Sequence, residues 1–370
     1  MLLLSLSLQR LILNTCEEFE ISTKHVSKLI NLKHLEITDA KVLEEKKTTS
    51  GFRKLDMGER YKGEHFSNWL SPLSNIVDIT LHNCEGLKYL PPMERLRFLR
   101  SVRLSHLPEL EYIYYEEPFL FETFFPSLER LFLCENNKLK GWWRMNDVVN
   151  EDDHNCSQSH NLSLPPFPPQ LSFLTIDECP MLTRVPTFPN LDKRLQFRSS
   201  NMETLEATIN SKCLIEFPPL SKLKYLQLEN VDLDMKKFPE NWVQNLTSLE
   251  LLEVVNFSDK KIQDIGTWFL EDFNYLPSLQ KIEFWKCSEL KTLPDWILNL
   301  SSLQHITIYY CEIIAYLPGG MSRLAKLQTL EIVNCPLLME ECETITSATW
   351  SKIAHIPNII LKVPTHISQT

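Results

Sequence analysis

A chain of 370 residues with 43% hydrophobic and 23% charged side chains can bury a core, and it is too long for most single compact ones. Its 48 acidic against 38 basic residues leave a formal charge of −10, which argues against nucleic acid or an anionic membrane surface as a general partner, since both need a basic footprint. Eight glycines leave little for phosphate-cradling loops, and no apolar run reaches the ~18 residues of a membrane-spanning helix.

The opening MLLLSLSLQRLIL has the hydrophobicity of a signal peptide but lacks a basic flank and a small-residue cleavage site. Instead Leu8, Leu11, Leu13 and Cys16 fit a template, L-x-x-L-x-L-x-x-C/N, that returns along the chain. A weaker copy ends at Ala40. Residues 44–65 are polar and charged, and are expected to form a loop insertion. The template resumes at Ile76, Ile79, Leu81 and Cys84, is weaker up to Leu107, and is clear at Leu128, Leu131, Leu133 and Asn136. Trp142 then falls where other copies place a core leucine, so it and Trp143 read as core fillers. Residues 144–170 are acidic, then polar, then rich in proline, and are expected to form a second insertion. His154, Cys156 and His160 there have metal-ligand chemistry but no fixed spacing, so no metal site is expected.

Further copies run through Leu171, Leu174, Ile176 and Cys179, then Leu191, Leu195, Phe197 and Ser200 with one extra residue. Weaker copies end at Val231 and Phe257. The last three are the most regular: Leu279, Ile282, Phe284, Cys287; Leu303, Ile306, Ile308, Cys311; Leu327, Leu330, Ile332, Cys335. Proline closes the second half of several units, at Pro91, Pro186, Pro294 and Pro318, and marks a turn. After Pro294 and Pro318, apolar residues recur every third position, as a short helical or 3₁₀ return requires. The tail, with Ile356, Ile359 and Ile360, is expected to act as a half-coil that caps the core over 340–363.

About twelve such units make this the leucine-rich repeat pattern. The expected fold is an α/β solenoid, a curved horseshoe forming one domain over 1–370. A parallel sheet would line its concave face, with irregular, 3₁₀ or short helical returns on the convex face. In each x-L-x-L-x strand the leucines point inward and the x residues outward. One coil cannot bury its leucines alone, so the fixed positions are scaffold and the variable ones are surface. Cys16, Cys84, Cys179, Cys287, Cys311 and Cys335 share one repeat position and read as small buried residues, not as a bonded set.

Four features occur together: FPSLERLFLCENNKLKGWW (125–143), PPFPPQLSFLTIDECPMLTRVPTFPNL (165–191), the C-x-x-L-x-x-L-P returns and KIAHIPNI (352–359). In combination they resemble the C-terminal leucine-rich repeat region of plant intracellular disease-resistance proteins of the coiled-coil, nucleotide-binding type, over nearly the whole chain. The resemblance implies a cytoplasmic module of innate immunity, reaching the nucleus or the inner face of the plasma membrane only through partners. Such a module recognises a pathogen effector or a host protein the effector modifies, and restrains a nucleotide-binding domain of the same or another receptor. The sequence departs from that family in having no G-x-x-x-x-G-K-[ST] and no coiled-coil heptads, and so reads as a repeat-only fragment or truncated relative. The alternative is the substrate-recognition repeats of an F-box ubiquitin-ligase adaptor, whose F-box helices are not seen.

No G-x-S-x-G, H-E-x-x-H or paired C-x-x-C is present, so neither an enzyme nor a cofactor is expected. The expected contact surface is the set of outward strand positions: Glu253; Lys281, Glu283 and Trp285; His305, Thr307 and Tyr309; and Glu331. Strand spacing puts Trp285 beside Tyr309, with an acidic column of Glu253, Glu283 and Glu331 broken by Thr307. Exposed aromatics are common interface anchors, and neighbouring charge selects the partner. The alternative is that the two rings only shield the sheet. Arg103 and Phe132, with Arg130 beside them, make a second and more basic candidate patch.

Overall fold

The computed structural model describes residues 9–13, 16–21, 33–38, 40–42, 53–58, 75–90, 93, 96–114, 125–143, 166–211, 217–231, 242–266, 275–344 and 347–363. The chain folds as two compact units, Met1–Phe188 with Glu203–Ala207, and Pro189–Met202 with Thr208–Thr370. It is a leucine-rich repeat solenoid, in which each repeat supplies one strand to a parallel sheet.

In the first unit seven parallel strands follow chain order: β1 (Arg10–Leu13), β2 (His34–Thr38), β3 (Lys54–Gly58), β4 (Asp78–His82), β5 (Ser101–Ser105), β6 (Arg130–Cys134) and β7 (Phe173–Asp177). The alternation that defines a strand is also what buries it. Ile79 and Leu81, Val102 and Leu104, Leu131 and Leu133 all point inward and are buried. On the return side, Tyr112–Tyr114 pairs with Gly141–Trp143. Trp142 is fully buried, edge-on to Phe125 at 6.2 Å and to Phe167 at 5.2 Å, so it fills the core as its repeat position implies.

In the second unit the strands are β8 (Arg194–Arg198), β9 (Tyr225–Glu229), β10 (Leu251–Val255), β11 (Lys281–Trp285), β12 (His305–Tyr309), β13 (Thr329–Val333) and β14 (Asn358–Lys362), again parallel and in order. Ile282, Phe284, Ile306, Ile308, Leu330 and Ile332 are wholly buried, each worth ~1.5–3 kcal/mol of transfer free energy. The three-residue steps produce the expected 3₁₀ returns at Asp295–Asn299 and Met321–Arg323, the first entered through the extended Pro294. Gly266 leaves room for the Trp296 indole, since a Cβ there would lie 2.6 Å from Cδ1.

Of the strands numbered above, two fall outside the twelve copies counted in the sequence. Strand β3 lies inside 44–65, the segment expected to be a loop, and pairs with both β2 and β4. Leu55 and Met57 are buried anchors, but Arg60 stands at the Cys/Asn position, so only part of the template is visible. Residues 44–52 and 59–65 lie outside the described residues, as do 144–165 of the second expected insertion. Strand β14 sits in the tail, within the expected cap, and pairs with β13. Its register puts Ile359 opposite Leu330 and Leu361 opposite Ile332, on the inward side, while Ile360 joins the outward column opposite Glu331. Before it, helices Pro336–Glu343 and Ala348–Ile353 close the last return, the second capped by Ser347 Oγ accepting from Trp350 N.

Candidate functional site

The outward columns are held in line by the turn that follows each strand. In ten successive coils the first residue after the strand, from Asn83 to Asn334, adopts a left-handed conformation with φ of 42–56°. That region costs most L-residues about 1–2 kcal/mol, and Asn, which tolerates it best, holds the position at 83, 230, 256 and 334. The turn points the backbone N–H along the array. Asn256 N donates to Trp285 O, Lys286 N to Tyr309 O, Tyr310 N to Val333 O and Asn334 N to Lys362 O, at 2.8–3.0 Å. The next residue reaches the opposite way. Cys287 Sγ contacts Val254 O, Cys311 Sγ contacts Phe284 O and Cys335 Sγ contacts Ile308 O, at 3.6–3.9 Å. Asn136 does this more strongly, donating from Nδ2 to Leu104 O at 2.9 Å and accepting at Oδ1 from Leu107 N at 3.0 Å. Each of these coils is therefore tied to both neighbours.

On the outward face of the second unit, the central column runs Gln196, Gln227, Glu253, Glu283, Thr307, Glu331 and Ile360. The acidic column broken by Thr307 is thus a real juxtaposition, but its members are not free. Glu253 accepts from Tyr225 Oη, and from Gln227 Nε2 at 3.3 Å. Glu283, only 8% exposed, pairs with Lys281 Nζ at 2.5 Å and accepts from Trp285 Nε1 at 2.8 Å. Glu331 pairs with Lys362 Nζ at 2.7 Å and accepts from Tyr309 Oη at 3.3 Å. Thr307 is buried, and His305 is half-buried opposite Lys281 and Thr329.

Trp285 and Tyr309 stand opposite each other in register, with ring centroids 3.9 Å apart and planes tilted by 31°. Both stay half-buried, leaving part of the stacked pair on the surface. Burial first, then the Glu331 and Glu283 charges, push the Tyr309 phenol up to about 12. Burial, reinforced by Glu283 and Glu229, raises the Glu253 carboxyl above its ordinary value against the lowering hydrogen bond from Tyr225.

In the first unit, Arg103 lies with its guanidinium carbon 4.0 Å from the centre of the Phe132 ring, in the same central column. Arg130 Nη2 reaches Asp78 Oδ1 at 3.3 Å, and Asp56 stands between Lys54 and His82 at 3.8 and 3.6 Å. The basic charge of this patch is therefore offset by carboxylates on the same face.

A further set of surface residues lies outside these columns. Tyr310, Ile313, Tyr316 and Leu337 are 37%, 38%, 61% and 46% exposed, on the two coils that begin with β12 and β13. The sequence holds a signal for them. In the coil around Cys287 the matching positions are Lys286, Glu289 and Thr292, where Tyr310, Ile313 and Tyr316 stand around Cys311.

Among the described residues, no group of three or more His, Cys, Asp or Glu side chains could hold a metal, and no helix is long and apolar enough to cross a membrane. His154, Cys156 and His160 lie outside them. Burial raises the thiols of Cys84, Cys179 and Cys342 to about 12, which makes them poor nucleophiles.

Residues 38–107 match the family model described as R13L1/DRL21 LRRs. Two relatives are named as disease resistance proteins: RGA1 of Solanum bulbocastanum, 28% identical over 60% of this chain, and the RPP13-like protein 1 of Arabidopsis thaliana, 25% identical over 70% of it. The matches cover 20% and 23% of those proteins, so the chain spans about a quarter or less of the curated relatives it resembles. Among solved structures, an internalin from Listeria monocytogenes aligns with 98% of this chain and 83% of its own, at 15% identity and a TM-score of 0.40.

Proposed function

We propose that this leucine-rich repeat chain, similar to the repeat region of plant disease resistance proteins, is a non-enzymatic recognition module of innate immunity. It binds a pathogen effector or a host protein that an effector modifies, through the outward face of the sheet in the second unit. Within a complete receptor it would also restrain a nucleotide-binding domain. Partner binding would then shift the receptor between restrained and active states in proportion to its unequal affinity for the two. The setting this implies is cytoplasmic.

The observation that supports the reading is the Trp285–Tyr309 stack, fixed by hydrogen bonds to Glu283 and Glu331. A rigid aromatic platform of this kind can accept a partner without first losing side-chain freedom. Its chemistry is complementarity of shape and charge, with no covalent step.

The test is a binding screen of the purified chain against a panel of secreted pathogen proteins and the host proteins they modify. The Trp285→Ala, Tyr309→Ala double variant is screened in parallel. The expected result is capture of at least one panel member by the parent, lost in the variant, with the fold retained and only the small fall in melting midpoint that loss of the ring pair brings. Loss of stability with capture intact would reassign both rings to scaffold.

A further inference from the structure

Arg103 stands apart from the other cations of its face. Its guanidinium carbon lies 4.0 Å from the centre of the Phe132 ring, and its side chain is exposed. Stacking on a ring holds the plane of a guanidinium and leaves the N–H groups along its edge open to an acceptor. Among the described residues, no carboxylate or other acceptor takes them. Thr80 stands opposite Arg103 on β4, and Ser101 and Ser105 flank it on β5, all three half-buried. Their hydroxyls are likewise without a hydrogen-bond partner among the described residues. One cationic fork and three hydroxyls are thus open on one small area of the sheet.

The charges around it are already matched. The outward positions of β4, β5 and β6 hold four charged or imidazole side chains: Asp78, His82, Arg103 and Arg130. Arg130 Nη2 lies 3.3 Å from Asp78 Oδ1, and His82 Nε2 lies 3.6 Å from Asp56. At the two ends of these strands, Arg100 meets Glu129 at 3.5 Å and His106 pairs with Glu135. On the next strand, Asp177 has a partner of its own. Arg103 is the positive charge left over. The other stacked arginine, Arg194 over Tyr225 at 4.1 Å, does not repeat the arrangement, because its charge acts on Glu253, the carboxylate that Tyr225 binds. A single open guanidinium balances a monoanion, and its two parallel donors match the two oxygens of a carboxylate. A phosphate monoester carries nearly two charges at neutral pH and would find no second open cation here.

We propose that Arg103 anchors the carboxylate of an aspartate or glutamate presented by a protein partner. The fork donates to both carboxylate oxygens, and Phe132 holds the fork in plane. The hydroxyls of Thr80, Ser101 and Ser105 supply donors for the lone pairs that remain. The inference rests on the protein-recognition reading and gives it a second contact, on the sheet of the first unit. Affinity through this contact falls with salt, because the guanidinium is exposed.

A phage-displayed library of random dodecapeptides, panned on the full chain after depletion on the Arg103→Gln chain, tests this. Depletion removes peptides held elsewhere on the molecule. The peptides that remain are expected to share an Asp or Glu. Exchanging that residue for Asn or Gln in the synthetic peptide should cost about tenfold in affinity for the parent chain, and nothing further for Arg103→Gln. Arg103→Lys keeps the charge but loses the fork, and should bind more weakly than the parent. Phe132→Leu should weaken binding by about threefold. Arg103 is exposed, so the melting midpoints of both Arg103 variants stay near the parent's, and a melting curve on each checks it. Selected peptides without an acidic residue, or no enrichment at all, overturn the proposal, as does undiminished binding by Arg103→Lys. Tighter binding when phosphoserine replaces the acidic residue would make this a phosphate site and likewise overturn it. Failure here leaves the screen on Trp285 and Tyr309 untouched, since that contact lies in the second unit.

Discussion

The Trp285 indole lies 3.9 Å from the Tyr309 ring, centroid to centroid, while its own N–H is spent on Glu283, two residues back on the same strand. One side chain thus links two neighbouring strands and closes a carboxylate that would otherwise face outward. A double-mutant cycle on Trp285→Ala and Tyr309→Ala should return a coupling of ~0.5–1.5 kcal/mol in urea unfolding, the range for aromatic pairs. A coupling near zero would mean the rings are neighbours without mutual stabilisation.

Asn136 is buried and makes both of its bonds to the preceding coil. Asn136→Ala strands the Leu107 N–H and the Leu104 carbonyl, and should cost ~2–4 kcal/mol. Asn136→Cys, which places the residue other coils use at this position, should cost less than alanine. Denaturant midpoints of the three proteins check the order parent, cysteine, alanine.

The raised carboxyl of Glu253 sets a pH dependence. A folded-state value above the unfolded one means the folded chain binds that proton more tightly. Its stabilising contribution is complete below the ordinary carboxyl range and is lost as pH rises through the raised value. At neutral pH the ionised group therefore opposes folding. Glu253→Gln keeps an acceptor for Tyr225 and should melt higher than the parent near neutrality, with the gap closing in acid. Equal gaps at both extremes would place the effect elsewhere.

Thiol labelling offers a check on the core. Cys84, Cys179, Cys287, Cys311, Cys335 and Cys342 are buried, whereas Cys134 is half-buried. Brief treatment of the native chain with an aromatic disulfide reagent, followed by peptide mapping, should modify Cys134 ahead of these six. Unfolding in urea should equalise them. Rapid native labelling of Cys311 would show that the stacked turns open readily.

The scaffold is legible in the sequence because its anchors answer to one geometric demand, a strand with one buried face, repeated. Ile306 and Ile308 can be assigned inward by counting alone. Strand β3 escapes because Arg60 stands where a cysteine or asparagine marks the turns of the clear copies. The adjacency of Trp285 and Tyr309 follows from strand spacing. The internal pairing of Glu253, Glu283 and Glu331 does not, since it depends on rotamers of Tyr225, Lys281 and Lys362 that no linear pattern encodes. Ile313 and Leu337 are hidden for another reason. They lie in the return half of the repeat, where an apolar residue reads as core, and only a comparison with Glu289 exposes them as surface.

The left-handed turn has a consequence for how such chains change length. Each backbone N–H reaches forward one coil and each cysteine or asparagine side chain reaches back one. If a whole coil between two equivalent cysteines is excised, the turns on either side of the cut meet with donor facing acceptor, as before. Cys287 to Cys311 and Cys311 to Cys335 are such interchangeable segments, 24 residues each. A partial excision leaves a donor facing a side chain. Recombination in register can therefore lengthen or shorten this array without a folding penalty at the junction, and swap a whole stripe of surface in one step.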